Sequence, residues 1–487
     1  MNPVRRNPAR RRRRAAAAIG SVAALAALAG SRQRCFTRRQ RGQALLLGLT
    51  LLVLVSLLLF FQFSAGQASA AKLRIVNATD AAAYSTALWR ARAMNYYAYS
   101  NRAIVANEVA IGQAATMVSF ARFLERFSDN VEDVARYFPV VGQIAEAVEQ
   151  VAHWVSVLTR HTADVEVTAR SYYIEALAAS QELMFAATHP VVLSRIAAEV
   201  ARENDRRFFA FVLPRALDPG SNDITRRYEG DDRERLKSIV LRSLDGYSQN
   251  RDADLAEIPC LARLARRGAT EMIRDHDPDT LERWQAYDTL SAHTRRLFGC
   301  SLRERLPLGW GAAEIAAEPK HELDALGDEL SLVAGDTGPA PLAPAGASAS
   351  KRANPRAYAE ASDEIWVASR YRGIATVREL DYDSAALQRN DRFPLLQVGV
   401  VGWIQSADAI GTAQASGHGT GRVLPRDRFS DRPGAPIGAV AAAEVYFRRP
   451  PQDPDRIEYA SLYAPYWQVR LAPVPAAWRA AAAGYFQ

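Results

Sequence analysis

Residues 44–61 read ALLLGLTLLVLVSLLLFF, and no charged residue occurs from Gln43 to Ala71. A helix over Gln43–Phe63 is about 31 Å long at 1.5 Å per residue, enough to cross a bilayer core. Lipid offers no hydrogen bonds to a bare backbone, and a helix satisfies its own. A buried core helix is seldom so uniformly apolar. A cleaved secretory signal usually has a shorter apolar core, about 7–15 residues, followed by small residues. Ser64-Ala65-Gly66 and Ala68-Ser69-Ala70 supply such residues, but the length of the apolar run favours a permanent transmembrane helix over 43–63. A weaker stretch, Ala15–Gly30, is mostly alanine and too short to count as a second span.

Charge around this run sets its expected orientation. Residues 1–42 hold twelve arginines and no acid; without them the formal charge of +8 becomes −4 for residues 43–487. Basic residues beside a span stay on the cytoplasmic side, so the bulk of the chain is expected outside the cytoplasm. The mildly acidic body argues against a nucleic-acid partner. Of the cysteines, Cys35 falls on the expected cytoplasmic side, while Cys260 and Cys300 fall in the exported part. There they are either a disulfide or two buried free thiols.

Proline divides the remainder of the chain. None occurs between Pro8 and Pro139, whereas fourteen of the 24 lie from Pro339 onward. Proline breaks helix interiors, so a helical front precedes an irregular or β-rich rear, and the membrane helix is expected to run on to around Phe127. Next comes a heptad pattern, with Val141, Ile144, Val148, Val151, Val155, Leu158, Thr162, Val165, Ala169, Tyr172, Ala176, Ala179, Leu183 and Ala186 at alternating steps of three and four. That spacing predicts a long helix packed along a coiled-coil-like seam. Its partner is the preceding helix folded back or another chain. The small residues favour intramolecular packing and leave self-association through helices open. Pro190 opens a further helix over Val191–Asn204.

The expected organisation is thus mainly α. A basic cytoplasmic segment spans 1–42, the membrane helix 43–63, a long helical stalk or bundle 64–215, and a mixed, mostly helical region 216–332. A Pro/Ala/Gly-rich linker over 333–356 leads to a small β-rich C-terminal domain, 357–487. Its strands are read at Glu364–Val367, Leu395–Ile404, Ala443–Phe447 and Tyr466–Leu471.

Chemistry is sparse. No two of the seven histidines share helical ligand spacing, and neither HExxH nor CxxC occurs, so no metal site is expected. Asp275-His276-Asp277-Pro278-Asp279 reads as a solvated turn rather than a cation or acid–base site. Gly417-His418-Gly419-Thr420-Gly421 lacks the helix and the Lys-Ser or Lys-Thr of a phosphate loop. Trp89, Tyr96, Tyr97 and Tyr99 form an aromatic cluster suited to helix packing or, less simply, to a partner. No catalytic, cofactor-binding or metal-ligating residue is expected.

One region carries a family likeness. Arg38-Arg39-Gln40-Arg41-Gly42-Gln43-Ala44 opens the apolar helix, and Leu73-Arg74-Ile75-Val76-Asn77-Ala78-Thr79-Asp80-Ala81-Ala82-Ala83 comes after it. This resembles the N-terminus of the TadE/TadG-like proteins of the Flp (tight adherence) pilus assembly system. Asn77 and Asp80 match the asparagine and aspartate of the pattern. The resemblance implies a non-enzymatic component anchored in the bacterial inner membrane, N-terminus cytoplasmic and bulk periplasmic. It would meet other pilus-assembly or secretion proteins and take no cofactor. It also implies a prepilin-peptidase cut between Gly42 and Gln43 in the pilin-related branch. Leu47 stands where processed pilins usually carry glutamate, so a permanently anchored assembly factor is expected. No von Willebrand-type Asp-x-Ser-x-Ser motif occurs, and metal-dependent adhesion is not carried over. A membrane-tethered periplasmic enzyme or a sensor is the alternative.

Overall fold

The computed structural model describes residues 43–135, 139–213, 224–229, 232–273, 281–295, 300–323, 353–381, 396–405, 436–449 and 460–486. Among the described residues helix dominates, at about 56%, with a β-rich C-terminal region. Two compact units divide the chain, residues 1–69 and 70–487.

Helix α1 covers Gln43–Ala135, 93 residues without a proline. Within the first unit its large side chains from Leu45 to Phe63 are all exposed. Among the described residues this is the one helix long and apolar enough to cross a membrane; a bent pair, Glu146–Ala186 with Pro190–Asn204 at 61°, would make a second.

In the second unit α1 is the spine. Alanine crowds its buried face (Ala78, Ala82, Ala83, Ala87, Ala91), and the missing bulk lets backbones approach closely. Helix α2 (Pro139–Ala186) returns alongside it, and α3 (Pro190–Asn204) comes next. The α3 start is fixed locally: Pro190 occupies the first turn, and the His189 Nδ1 accepts a hydrogen bond from the Val191 N–H.

A four-stranded antiparallel sheet packs on residues 75–97 of α1. It is ordered β1 (Phe209–Val212), β9 (Leu396–Ile404), β10 (Ile437–Phe447), β11 (Trp467–Ala472). Val398, Val400, Ala441, Ala443 and Val445 face the alanine side of α1. The opposite face takes Trp478 of α7 (Ala476–Phe486). Gly399 makes room for it, since a Cβ there would lie 2.6 Å from the indole ring.

Farther along, residues 104–127 of α1 cover a second sheet. Its order is β3 (Ala253–Ile258), β4 (Ala262–Ile273), β5 (Arg283–Arg295), β6 (Leu302–Ile315), β7 (Trp366–Ala368), with only the β6–β7 pair parallel. Helix α4 (Asp232–Ser243) shares that face, and the one-turn α5 (Gly246–Gln249) comes directly after it. Trp284 of β5 lies against Gly112, where a Cβ would sit 2.8 Å from the ring. Helix α6 (Pro355–Asp363) packs Tyr358 and Ala361 on the far side. At the centre Arg251 and Asp288, both fully buried, pair at 2.8 Å, and the Ser119 hydroxyl of α1 donates to the other Asp288 oxygen at 2.9 Å. A two-stranded ladder of β2 (Thr225–Arg227) and β8 (Arg378–Leu380) completes the set.

Three expectations need correction. First, 216–332 is not mostly helical: among its described residues the short β2 and two short helices precede four longer strands. These strands are hard to see in sequence because much of β4 and β5 is buried on both faces. Buried polar residues such as Glu271, Gln285 and Asp288 then erase the alternation of a half-exposed strand.

Second, the stalk and the C-terminal domain are not separate, because residues 70–487 form one unit. Strand β1, before the mixed region, pairs with β9 after it, Phe209 opposite Trp403 and Val212 opposite Val400.

Third, α2 folds back on α1, but not through the heptad seam. From Val148 to Ala186 all twelve seam positions are exposed. The buried face is instead Ser156, Ala163, Val167, Ser171, Ile174 and Gln181. On that face Gln181 finds its partners on the spine. The Gln181 amide donates to the Ser100 hydroxyl at 2.8 Å and to the Asn101 carbonyl oxygen at 2.7 Å. The seam carries only two hydroxyls, Thr162, which donates back to its own helix, and Tyr172.

Candidate functional site

The most conspicuous chemical feature is the bare segment of α1. Side chains from Leu45 to Phe63 stand between 37% and 76% exposed. Together they present on the order of 1,500 Å² of apolar surface, several times the largest patch usual on a soluble monomer. At about 25 cal/mol per Å² its transfer out of water is favourable by roughly 40 kcal/mol. A surface of that size demands lipid or protein around it.

The family-like residues lie just beyond. Gln43 is the first residue of α1, and Gly42 falls outside the described residues. Asn77 is exposed; Asp80 is half-buried, and burial raises its carboxyl above the usual range. Their neighbours do the packing. Ile75, Ala78, Ala82 and Ala83 are wholly buried against the first sheet. Thr79 donates to the Ile75 carbonyl at 2.6 Å and rests directly over Gly402 of β9, where any Cβ would collide with it. The Lys72 ammonium donates to the Gly438 carbonyl of β10. The alanines of the motif therefore seat the helix on the sheet, while Asn77 faces outward.

Cys260 and Cys300 are joined by a disulfide across a separation of 40 residues. It links the β3–β4 turn to the residues entering β6. In the loop-entropy description such a closure stabilises by on the order of 4 kcal/mol. The aromatic cluster divides: Tyr97 is in the core, Tyr99 is 63% exposed, Trp89 donates to the Ala187 carbonyl at 2.9 Å and Tyr96 bonds Ser180. Asp275–Asp279, Gly417–Gly421 and most of the linker lie outside the described residues.

Sequence reasoning missed a cleft of about 400 Å³ lined by Glu108, Ile174, Glu182, Arg233, Tyr371 and Ile374, among others. Glu108 is fully buried on α1, and burial pushes its carboxyl up to about 8 despite the Tyr371 hydroxyl donating to it at 2.9 Å. Beside it the buried Glu282 receives the Arg233 guanidinium at 2.7 Å and the Ile374 N–H at 3.1 Å. The neighbouring charges are tied to one another, Arg372 to Glu175 at 3.3 Å and Arg378 to Glu182 at 3.0 Å. This arrangement fastens the 371–376 loop, and burial keeps the Glu108 carboxyl protonated at neutral pH. Only a lone glutamate in an apolar helical run signals it in sequence. Among the described residues no cluster of histidine, cysteine, aspartate or glutamate is arranged to hold a metal ion.

Comparison with family models, with curated proteins and with solved structures returns no match.

Proposed function

We propose that the chain is a membrane-anchored, non-enzymatic component of an Flp/Tad-type pilus-assembly or related secretion machine, working through protein–protein contacts in the periplasm. One observation carries the reading. The Arg-Gly entry and the Asn77–Asp80 pattern bracket a wholly exposed apolar helix segment that runs without a break into the spine of a folded body. A leucine-rich run with twelve arginines before it is held in the inner membrane with its N-terminus in the cytoplasm. The Cys260–Cys300 bridge suits the oxidising periplasm where the body then lies. Partners are the inner membrane and other assembly or secretion proteins. No step of this role needs a cofactor or nucleic acid.

Deleting the gene is expected to abolish surface pili and adherence while the pilin subunit is still made. Normal piliation in the deletion strain refutes the role. Anchoring is tested separately. Full-length protein is expected in the membrane pellet after alkaline extraction, and replacing Leu52 and Leu54 by arginine is expected to release it. Recovery of the unaltered chain from the soluble fraction refutes the anchor.

A further inference from the structure

We propose that the exposed heptad stripe of α2 is the interface between two copies of this chain, which pair there as a parallel, in-register two-stranded coiled coil. The stripe runs from Val148 to Ala186, about 57 Å at 1.5 Å per residue. Its steps alternate three and four without a slip, and none of its twelve positions is charged. All are exposed, Leu158 by 65%, Val165 by 69% and Leu183 by 74%. The monomer's own packing uses a different face of the same helix, so the fold gives this stripe nothing to cover.

Width and flanks identify the occupant. An apolar stripe confined to positions a and d is a coiled-coil seam, narrower than the face a helix lays on a globular core. A helix lying on a membrane surface carries lysine and arginine along its polar side. Here the positions beside the stripe hold no lysine or arginine, and their glutamates, Glu166, Glu175 and Glu182, are paired with Arg170, Arg372 and Arg378 of the same chain. In the N-terminal half β-branched Val148, Val155 and Thr162 fall at a, the choice that favours two strands, while d holds Val151, Leu158 and Val165. Alanine at 169, 176, 179 and 186 lets the C-terminal half approach closely.

Parallel register sets Glu166 opposite His161 of the second copy, Glu175 opposite Ser180, and Glu182 opposite Ala187. Antiparallel pairing centred on the stripe would instead put Glu166 against itself. The large side chains of the stripe and its flanks, Trp154 and Tyr173 included, offer on the order of 1,000 Å² per chain. Covering two-thirds of that in each copy reaches the ~1,200 Å² at which stable interfaces begin.

The test is oxidative crosslinking of the full-length protein in native membranes. Cys35→Ser removes the unpaired thiol, and single cysteines are placed at Val151, Ala169 or Leu183. Tyr99→Cys, exposed on α1, is the control. All three stripe variants are expected to form a disulfide-linked species of twice the chain mass, and the control is not. Retention of the Cys260–Cys300 bridge shows that each variant is folded. In detergent, Val151→Asp with Leu158→Asp is expected to halve the mass of the folded protein. Crosslinking of one position alone overturns the parallel register. Crosslinks to a protein of another mass overturn self-pairing, as does membrane-dependent protection of the three cysteines without any crosslink. The result is independent of piliation, so it stands or falls apart from the assembly role.

Discussion

Glu108 gives the sharpest quantitative expectation. Its carboxyl moves from 4.5 to about 8 on folding, chiefly by burial. Between those values the folded chain keeps a proton that the unfolded chain has released. Stability is therefore full below about 4.5, falls as pH rises, and levels off above about 8. At 1.36 kcal/mol per unit the loss is on the order of 5 kcal/mol, a large share of the 5–15 kcal/mol typical of a folded domain. Glu108→Gln removes the titration while keeping an oxygen to accept from the Tyr371 hydroxyl. Urea unfolding of the full-length protein in detergent, monitored by tryptophan fluorescence, reads the outcome. The variant should match the parent near pH 5 and exceed it at pH 9 by several kcal/mol. Glu379, pushed by burial to about 7, still titrates and leaves a shallower slope of the same sign. Adding Glu379→Gln should flatten it, since one oxygen of Glu379 already accepts both the Leu380 and Leu462 N–H groups. A parent protein equally stable at pH 5 and pH 9 would refute the argument from burial.

Three further outcomes rest on the packing. Gly311→Ala drives a Cβ into the Ser119 and Phe123 backbones, and neither can yield as a side chain would. A thermal melt should show a loss of about 3 kcal/mol or more, whereas Gly66→Ala, with open space around it, should cost nothing. Cys260→Ser should lower unfolding stability by on the order of 4 kcal/mol, and a reductant should do the same to the parent but not to the variant. Asn95 both donates to the Trp467 carbonyl and accepts from its N–H, each at 3.0 Å. Asn95→Ala leaves that backbone without its partner and should cost about 2 kcal/mol in the same melt.

Some of this architecture is legible residue by residue. The helix through Gln43 comes from an unbroken apolar run and the absence of proline, and Pro190 marks the start of α3 where it occurs. The four rear strands read from β-branched and aromatic runs overlap β7, β9, β10 and β11, although β10 begins at Ile437, six residues before the Ala443–Phe447 run. The strands of the second sheet are not legible, because burial on both faces removes the period of two. The Glu108 cleft is equally hidden: Tyr371 and Glu282 meet Glu108 across more than 170 residues of chain.

Local chemistry in the sequence determined three things: a segment that water cannot hold, a long helix without a break, and a strict heptad on the helix after it. Those properties depend on neighbours a few residues apart, so no fold is needed to read them. Which face of α2 turns inward was decided only in three dimensions. There the hydrogen bonds of Gln181 to Ser100 and Asn101 select the more polar face for the spine. The seam that the sequence marks most strongly is left on the outside.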